Sequence, residues 1–221
     1  MDAAYWPLFG LKIRTPRLEL RLPTDAEIPA LVEVARDIHT TGDVPFSSGW
    51  NSLPEPEYTS SFLQFHWDKR ASLKSSSWDL PLAAFVDDEP VGQQSVNATE
   101  FPTLGVVETG SWLTRSAQGR GIGTEMRAAV LHFAFEGLGA VEALSAARVS
   151  NGSSLGVSAK LGYELNGLRR FAFSDGIADE QLLRLRREVW EEQRREDIEL
   201  IGLDGALQQL GLVEDGETQS E

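Results

Sequence analysis

Two hydrophobic periodicities alternate along the chain, and they predict both strands and helices. Polar and apolar residues alternate with a period of two over residues 17–22, which is typical of a strand with one buried face. Apolar residues then recur at helical spacing over 26–38, which predicts an amphipathic helix. Residues 40–60 are rich in Gly, Pro and Ser and are expected to form a loop, with a second helix over 62–73.

The remaining pattern completes a sheet. Further strands are expected at 80–86, 91–96, 106–113, 141–147, 163–169 and 181–187. The first two flank the acidic turn at residues 87–90 and should form a hairpin. Helices are expected over 125–136 and from Ser150 or Asn151 to Leu161. Because helices interrupt the strands and no repeat is visible, we predict an α/β (α+β) fold with a mixed sheet.

The end of the chain differs from the rest in charge. From residue 188 onward there are eleven Asp or Glu residues against two Arg, a net charge of −9 out of the total −14. We therefore divide the chain into a domain at 1–187 and an acidic C-terminal tail at 188–221. Leucines at 200, 203, 207 and 210 leave a docking helix open as an alternative, although the charge favours a solvated tail.

Composition excludes several classes of function. No run of Lys or Arg exceeds a pair, so a nucleic-acid partner is not expected. The chain contains no cysteine, which excludes disulfides, thiolate metal sites and a cysteine nucleophile. His39, His66 and His132 lack the spacing of a ligand pair, so we expect no metal and assign them structural roles. Since no apolar run reaches membrane-spanning length, we expect a soluble, cytoplasmic protein without a membrane partner.

A glycine-rich segment is the strongest chemical signal. It reads Gln118-Gly-Arg-Gly-Ile-Gly-Thr124 between a predicted strand and a predicted helix. Glycine permits backbone conformations in which successive N–H groups converge on one anion, and the helix start adds partial positive charge. This context predicts a site for phosphate or pyrophosphate.

Two familiar phosphate loops do not fit the segment. A P-loop needs Gly-Lys-Ser/Thr, whereas the first lysine after the loop is Lys160. A dinucleotide-binding fingerprint needs its third glycine three positions after the second, but Gly121 is followed by Gly123 and Thr124.

The pattern Gln118-x-x-Gly121-x-Gly123 instead resembles the pyrophosphate loop of the GNAT acyltransferases, which bind acyl-coenzyme A. Further motifs are similar to the RimJ/RimL branch of that family, and the resemblance covers residues 11–187. They are Thr15-Pro-Arg-Leu-Glu-Leu20, Gly110-Ser-Trp-Leu113, Gly123-Thr-Glu-Met-Arg127, Asn151-x-x-Ser154 and Lys160-Leu-Gly-Tyr163. More narrowly, the whole chain resembles actinobacterial members, some of which accommodate succinyl-coenzyme A.

The resemblance implies a mostly antiparallel GNAT sheet, flanked by helices, in which the fourth and fifth strands splay apart. Backbone groups around Trp112, Leu113 and Thr114 would then pair with the pantetheine arm of coenzyme A. The implied cofactor-binding residues are Trp112, Leu113, Thr114, Gln118, Gly119, Arg120, Gly121, Ile122, Gly123, Thr124, Asn151 and Ser154. Arg120 could equally be a solvated loop residue, and Asn151 a simple helix cap.

The resemblance also implies direct attack of an amine on the thioester, with catalytic roles for three residues. The backbone N–H of Leu113 would meet the oxyanion, and Ser154 would protonate the departing thiolate, although a serine near a helix start is more often a capping residue. Many family members use a tyrosine for that proton, but its position here holds Ser158. Glu108 stands where the branch often carries an acid. Burial beside the cleft could raise its pKa to suit a general base, or it could equally be a surface carboxylate. Where the branch often has an acidic residue, this chain has Phe173. Where the branch often has a tyrosine, this chain has Ser111.

Two classes of function remain open from the sequence. The first is an N-acyltransferase that uses acetyl-CoA or succinyl-CoA without a metal; the second is a non-catalytic sensor that binds acyl-CoA. The acceptor would be an amine of a small molecule or peptide, and a homo-oligomer is left open. A succinyl donor needs a cation for its far carboxylate, with Arg148, Arg170 and Lys74 as candidates. Aromatic residues between 46 and 67 fit local core packing or a wall beside the acceptor.

Overall fold

The computed structural model of the chain describes residues 2–38 and 48–213. The strands are β1 (Lys12–Arg14), β2 (Glu19–Arg21), β3 (Ser77–Val86), β4 (Glu89–Thr99), β5 (Val106–Leu113), β6 (Glu142–Arg148), β7 (Glu164–Phe173), β8 (Gly176–Arg186) and β9 (Glu199–Ile201). The α-helices are α1 (Ile28–Ala35), α2 (Glu57–Ala71), α3 (Phe101–Leu104), α4 (Ile122–His132), α5 (Gly152–Lys160), α6 (Arg187–Glu191) and α7 (Leu203–Gln209).

One mixed sheet organises the described residues. Its strand order is β7-β8-β6-β5-β4-β3-β2-β1-β9. All neighbouring pairs are antiparallel except β5 and β6, which run parallel because α4 crosses over between them. The predicted mixed, mostly antiparallel α/β fold is confirmed.

Most predicted elements are present, with shifted ends. The strand predicted at 106–113 has those bounds in β5, and β3 and β4 form the expected hairpin. The helix predicted at 62–73 begins earlier, at Glu57, within the expected loop. The strand predicted at 17–22 shortens to Glu19–Arg21, and its partner β1 was not predicted because three residues carry too little periodicity.

The segment after residue 187 packs against the body, so a solvated tail is wrong for its described part. Strand β9 pairs antiparallel with β1 and extends the sheet. Within and after α7, Ala206 and Leu210 are fully buried. Apolar burial outweighs the repulsion of exposed acids that lie on the other faces of this segment. The domain division at residue 187 itself stays a prediction.

The core lies on both faces of the sheet. On one face α4 contributes Met126 and Val130, and the turn that follows it contributes Phe133, each at most 1% exposed. On the opposite face α1 and α2 pack over Phe85 and Trp112. The end of β5 therefore separates two differently packed layers, and the site forms around it.

Candidate active site

Strands β5 and β6 separate part-way along their length. Their pairing covers only Val106 to Glu108 on β5, opposite Glu142 to Leu144 on β6. Beyond Glu108 the two strands have no register, which leaves a gap bordered by backbone groups. The splay implied by the family resemblance is present.

Backbone alternation decides which groups face this gap. The N–H of Thr114 donates to the carbonyl oxygen of Val91 on the β4 side at 2.9 Å. Neighbouring residues in a strand direct their backbone groups to opposite sides, so the N–H of Leu113 points into the gap. By the same alternation Ser111 also directs its N–H into the gap. These two positions are where an amide-bearing chain can pair with β5.

Thr114 and the backbone of Trp112 do not fit the expected unpaired positions. The N–H of Thr114 bonds Val91, its carbonyl accepts from Ala117 at 3.0 Å, and its hydroxyl donates to the Asp37 carbonyl at 3.2 Å. Trp112 pairs with Gln93 on β4, which leaves only its side chain at the gap. These two residues were expected to be unpaired because the resemblance located the end of β5 but did not show which of its backbone groups face β4 and which face the gap.

The glycine segment forms an exposed turn at the start of α4. Gly119 and Gly121 have φ of 69° and 79°, a left-handed conformation that favours glycine. None of the six N–H groups from Gly119 to Thr124 donates to an acceptor in the described part of the chain. Six adjacent free amides at a helix N-terminus form a strong anion site.

An ion pair between a half-exposed arginine and a buried glutamate holds this turn in place. Arg17 pairs with Glu125 in the first turn of α4 and donates to the Arg120 carbonyl at 3.1 Å. Thr15 donates to the other Glu125 oxygen at 2.6 Å. Burial acts to raise the pKa of Glu125, but hydrogen bonds from Thr15 and Arg17 outweigh it and lower that pKa. The carboxylate is therefore ionised at neutral pH, and the first strands anchor the loop.

Two predicted loop residues differ in their surroundings. The side-chain amide of Gln118 donates to the carbonyls of Ile38 at 2.6 Å and Leu113 at 2.9 Å. Both N–H groups of this amide are therefore used in hydrogen bonds within the protein. Gln118 therefore ties the loop to the end of β5. The side chain of Arg120 is exposed and makes no ion pair with a described residue, which fits both of its sequence-level interpretations.

A cleft of about 840 Å³ runs along the splay. Sequence-predicted residues that line it are Glu108, Trp112, Leu113, Gln118, Gly123, Asn151 and Ser154. Thr114, Thr124 and the exposed residues 119–121 do not line it. The side chain of Ile122 is buried in the core, so only its backbone is available.

Helix α5 borders the cleft with Asn151 and Ser154. The Asn151 side-chain oxygen caps α5 by accepting from the Ser154 backbone N–H at 3.1 Å, as predicted for a cap. Its side-chain N–H₂ group stays unpaired among the described residues, so capping leaves a donor at the cleft. Ser158, one turn further, is fully buried and lies outside the cleft.

Three carboxylates line the cleft. Glu108 is exposed, which agrees with the surface position and not with burial, because it lies where the gap opens. Its carboxylate makes no ion pair with a described residue. Glu180 accepts from Arg169 at 2.6 Å, and Asp175 accepts from Arg148 at 2.9 Å.

Several lining residues were not found at the sequence level. Asp175 and Glu180 were missed because no spacing connects β8 to the distant loop. Arg127 was also missed, although an arginine among the apolar residues of α4 was the available signal. Of the proposed cations for a second carboxylate, Arg148 lines the cleft, whereas exposed Arg170 and Lys74 do not.

A smaller hollow of about 220 Å³ opens beside Trp112 on the α1/α2 face. Trp50, Phe62 and Phe65 line it, and the Trp50 and Trp112 ring centroids lie 6.2 Å apart. Tyr58 is buried in the core, and Trp67 is exposed and outside the hollow. Phe46 lies outside the described residues. The aromatic segment thus serves both core packing and a wall.

The described residues contain neither a candidate metal site nor a candidate membrane span. No group of three or more His, Asp or Glu side chains there is arranged to hold a metal ion. His66 and His132 are both buried, and His39 lies outside those residues. No helix in the described ranges has the length and apolar character to cross a bilayer. A cytoplasmic location stays a prediction.

Comparison with known proteins agrees with this geometry. The family model described as an acetyltransferase (GNAT) domain matches residues 17–164, more than half of the chain. A structure of RimL, a ribosomal L7/L12 alpha-N-protein acetyltransferase, in complex with coenzyme A aligns with a TM-score of 0.68 and 20% identity, covering 79% of this chain and 97% of that one. Mycobacterium smegmatis RimJ in complex with CoA-disulfide aligns with a TM-score of 0.67 and 20% identity, covering 92% and 95%. At such identities, the structural likeness establishes a shared fold.

Proposed function

Because the chain belongs to the GNAT acetyltransferase family and is a GNAT-type N-acyltransferase, we propose that it transfers an acetyl or succinyl group from coenzyme A to a primary amine. The acceptor is a small molecule or a protein N-terminus. The observation that carries this proposal is the combination of six free amides at the start of α4 with a splay that begins after Glu108. The first suits a pyrophosphate, and the second suits an amide-bearing arm.

The donor would lie along the splay. Gly119 to Thr124 would bind the pyrophosphate through backbone N–H groups, and the unpaired amide group of Asn151 would bond the pantetheine. Gln118 supports the loop instead of donating to the ligand, since its side-chain N–H bonds are already used. This arrangement directs the thioester toward Leu113.

Transfer forms a C–N bond and breaks the C–S bond of the thioester. The N–H of Leu113 points into the splay and would stabilise negative charge on the carbonyl oxygen. Glu108, on the same strand and without an ion-pair partner in the described ranges, would take the proton of the attacking amine. Ser154 would give a proton to the departing thiolate. All three residues line one cleft, which supports these roles.

The acceptor would enter from the α1/α2 face. Trp112 separates the splay from the aromatic hollow, and alternation along β5 places Glu108 on the same face as Trp112. An apolar group next to the amine would pack against Trp50 and Phe62. The ribosomal-protein acetyltransferases among the structural neighbours support a protein N-terminus as one such acceptor.

Release of free thiol from acetyl-CoA and succinyl-CoA tests the proposed function. We expect thiol release with peptides or small amines that carry a free primary amine, because only the neutral amine can attack. The matched control is the same peptide with its N-terminus acetylated, which should release none. Binding of coenzyme A in calorimetry without thiol release for any acceptor would contradict transfer and favour the acyl-CoA sensor.

Ser154→Ala is expected to reduce kcat about a hundredfold, since a proton donor to the leaving group is lost. The KM for acyl-CoA should change little, because the helix cap uses the Ser154 backbone and survives. Ser158→Ala is the matched control on the same helix and should leave kcat unchanged, since Ser158 is buried outside the cleft. Steady-state thiol release measures both variants. An equal kcat for Ser154→Ala and the parent protein would remove this serine from the mechanism.

A further inference from the structure

Arg127 is a buried cation beneath the splay. It lies in the second turn of α4, is 3% exposed and lines the cleft. Its guanidinium donates to the side-chain oxygens of Gln94 at 3.3 Å, Ser145 at 3.2 Å and Ser111 at 3.1 Å. All three acceptors are uncharged. No carboxylate in the described ranges pairs with Arg127.

This environment is unusual for an arginine that serves only structure. A guanidinium has five N–H donors, and the described residues accept from three nitrogens, one bond each. Burial of a charge without a counter-ion is costly, and buried cations are normally paired. The other cleft arginines, Arg115, Arg148 and Arg169, already have carboxylate partners. Arg127 therefore has both the charge and the free donors to bind an incoming anion.

The position of Arg127 assigns that anion to the donor. Ser111 and Leu113 lie two residues apart on β5 and share the face turned toward α4. Trp112, between them, faces the aromatic hollow on the opposite side. A group bonded to Arg127 thus lies on the side of the coenzyme A loop, away from the proposed entry of the acceptor.

Chain length further limits the ligand. Two residues of a strand span ~7 Å. This is therefore the approximate distance between the Leu113 N–H and the side of the site that Ser111 forms. The terminal carbons of an extended four-carbon chain lie about 4 Å apart, given bonds of about 1.5 Å. A hydrogen bond adds about 3 Å. A carboxylate at the far end of a four-carbon acyl group therefore reaches Arg127 when its thioester carbonyl lies near Leu113.

We propose that Arg127, with the hydroxyl of Ser111, binds the distal carboxylate of a four-carbon dicarboxylic acyl group carried by coenzyme A. This assignment rests on the proposed function, because it needs the thioester to lie in the splay. It makes succinyl the preferred donor over acetyl. Arg127 acts as a specificity-determining residue, and the carboxylate supplies its missing counter-ion.

Calorimetry with three ligands and no acceptor tests the site in the unmodified protein. The ligands are succinyl-CoA, butyryl-CoA and free coenzyme A; butyryl has the same four carbons without the charge. We expect succinyl-CoA to bind at least tenfold more tightly than butyryl-CoA, as charged hydrogen bonds are strong. Equal affinities would overturn the carboxylate site while leaving the proposed function standing. Failure of all three to bind would overturn the proposed function and this site with it.

Arg127→Met tests the residue itself. The variant keeps a long side chain without charge, so succinyl-CoA should bind roughly ten- to a hundredfold more weakly, with free coenzyme A unchanged. Arg186→Gln is the matched control, because it removes a half-exposed arginine on β8 away from the cleft. A preference for succinyl-CoA that persists in Arg127→Met would refute the role of Arg127. If that variant does not fold, the three-ligand comparison decides the proposal.

Discussion

Gly121→Glu is expected to abolish binding of coenzyme A and its thioesters while leaving the fold intact. The new carboxylate would lie among the six amides that have no acceptor in the described residues, and it would repel the pyrophosphate proposed to bind there. At least a hundredfold loss of affinity is expected, because charge and bulk act against the same ligand group. A Cβ at Gly121 would meet only Arg17, at 3.5 Å, so packing is preserved. The φ of 79° adds strain of about 1–2 kcal/mol, which a domain of this size tolerates.

Calorimetry with coenzyme A and thermal unfolding measure the two parts of this prediction. Gly139→Glu is the matched control: Gly139 also has positive φ, 75°, and open space around it, but it lies beyond α4, outside the cleft. Both variants should lose similar stability, and only Gly121→Glu should lose the ligand. Unchanged affinity in Gly121→Glu would show that the loop does not bind the pyrophosphate.

The stability of the protein is expected to fall by about 3 kcal/mol between pH 6.5 and pH 4 through His66 alone. Burial, followed by the charge of Arg70, lowers the pKa of His66 from 6.5 to about 4. The side chain is 1% exposed, packs against Phe62, and its Nε2 finds no partner in the described part of the chain. Below pH 6.5 His66 becomes protonated in the unfolded chain, whereas in the folded chain it becomes protonated only near pH 4. Stability therefore decreases through this range and levels off, for this residue, below it.

Urea unfolding from pH 7 to pH 4 measures this effect as a difference between two proteins. His66→Gln removes the titrating group and keeps a polar side chain, so its free energy of unfolding should lack the His66 component. Carboxylates and His132 titrate in both proteins and cancel in the difference. Parallel stability curves for the two proteins would contradict a buried, neutral His66.

Local patterns were sufficient where function depends on consecutive residues. The loop at 118–124 was predicted from its glycines, and the N–H groups of residues 119–124 find no acceptor in the described part of the chain, because φ and helix position are local properties. Asn151 was correctly identified as a cap from its place before α5. For Glu108 the sequence left burial and exposure open, because its exposure depends on where β6 leaves β5. Period-two alternation located strand β5 in the sequence but did not show where its neighbour β6 separates from it.

The sequence by itself determined the strand, the glycine-rich loop and the helix that follows it, the mixed sheet and the family. Only the tertiary structure decided that β9 and α7 pack on the body, that Thr114 is fully bonded, and that Arg127 meets Ser111 and Ser145 without a counter-ion. These facts depend on contacts between residues far apart in the chain, which periodicity does not encode. Local conformation follows from neighbouring residues, whereas burial and charge pairing follow from packing of the whole molecule.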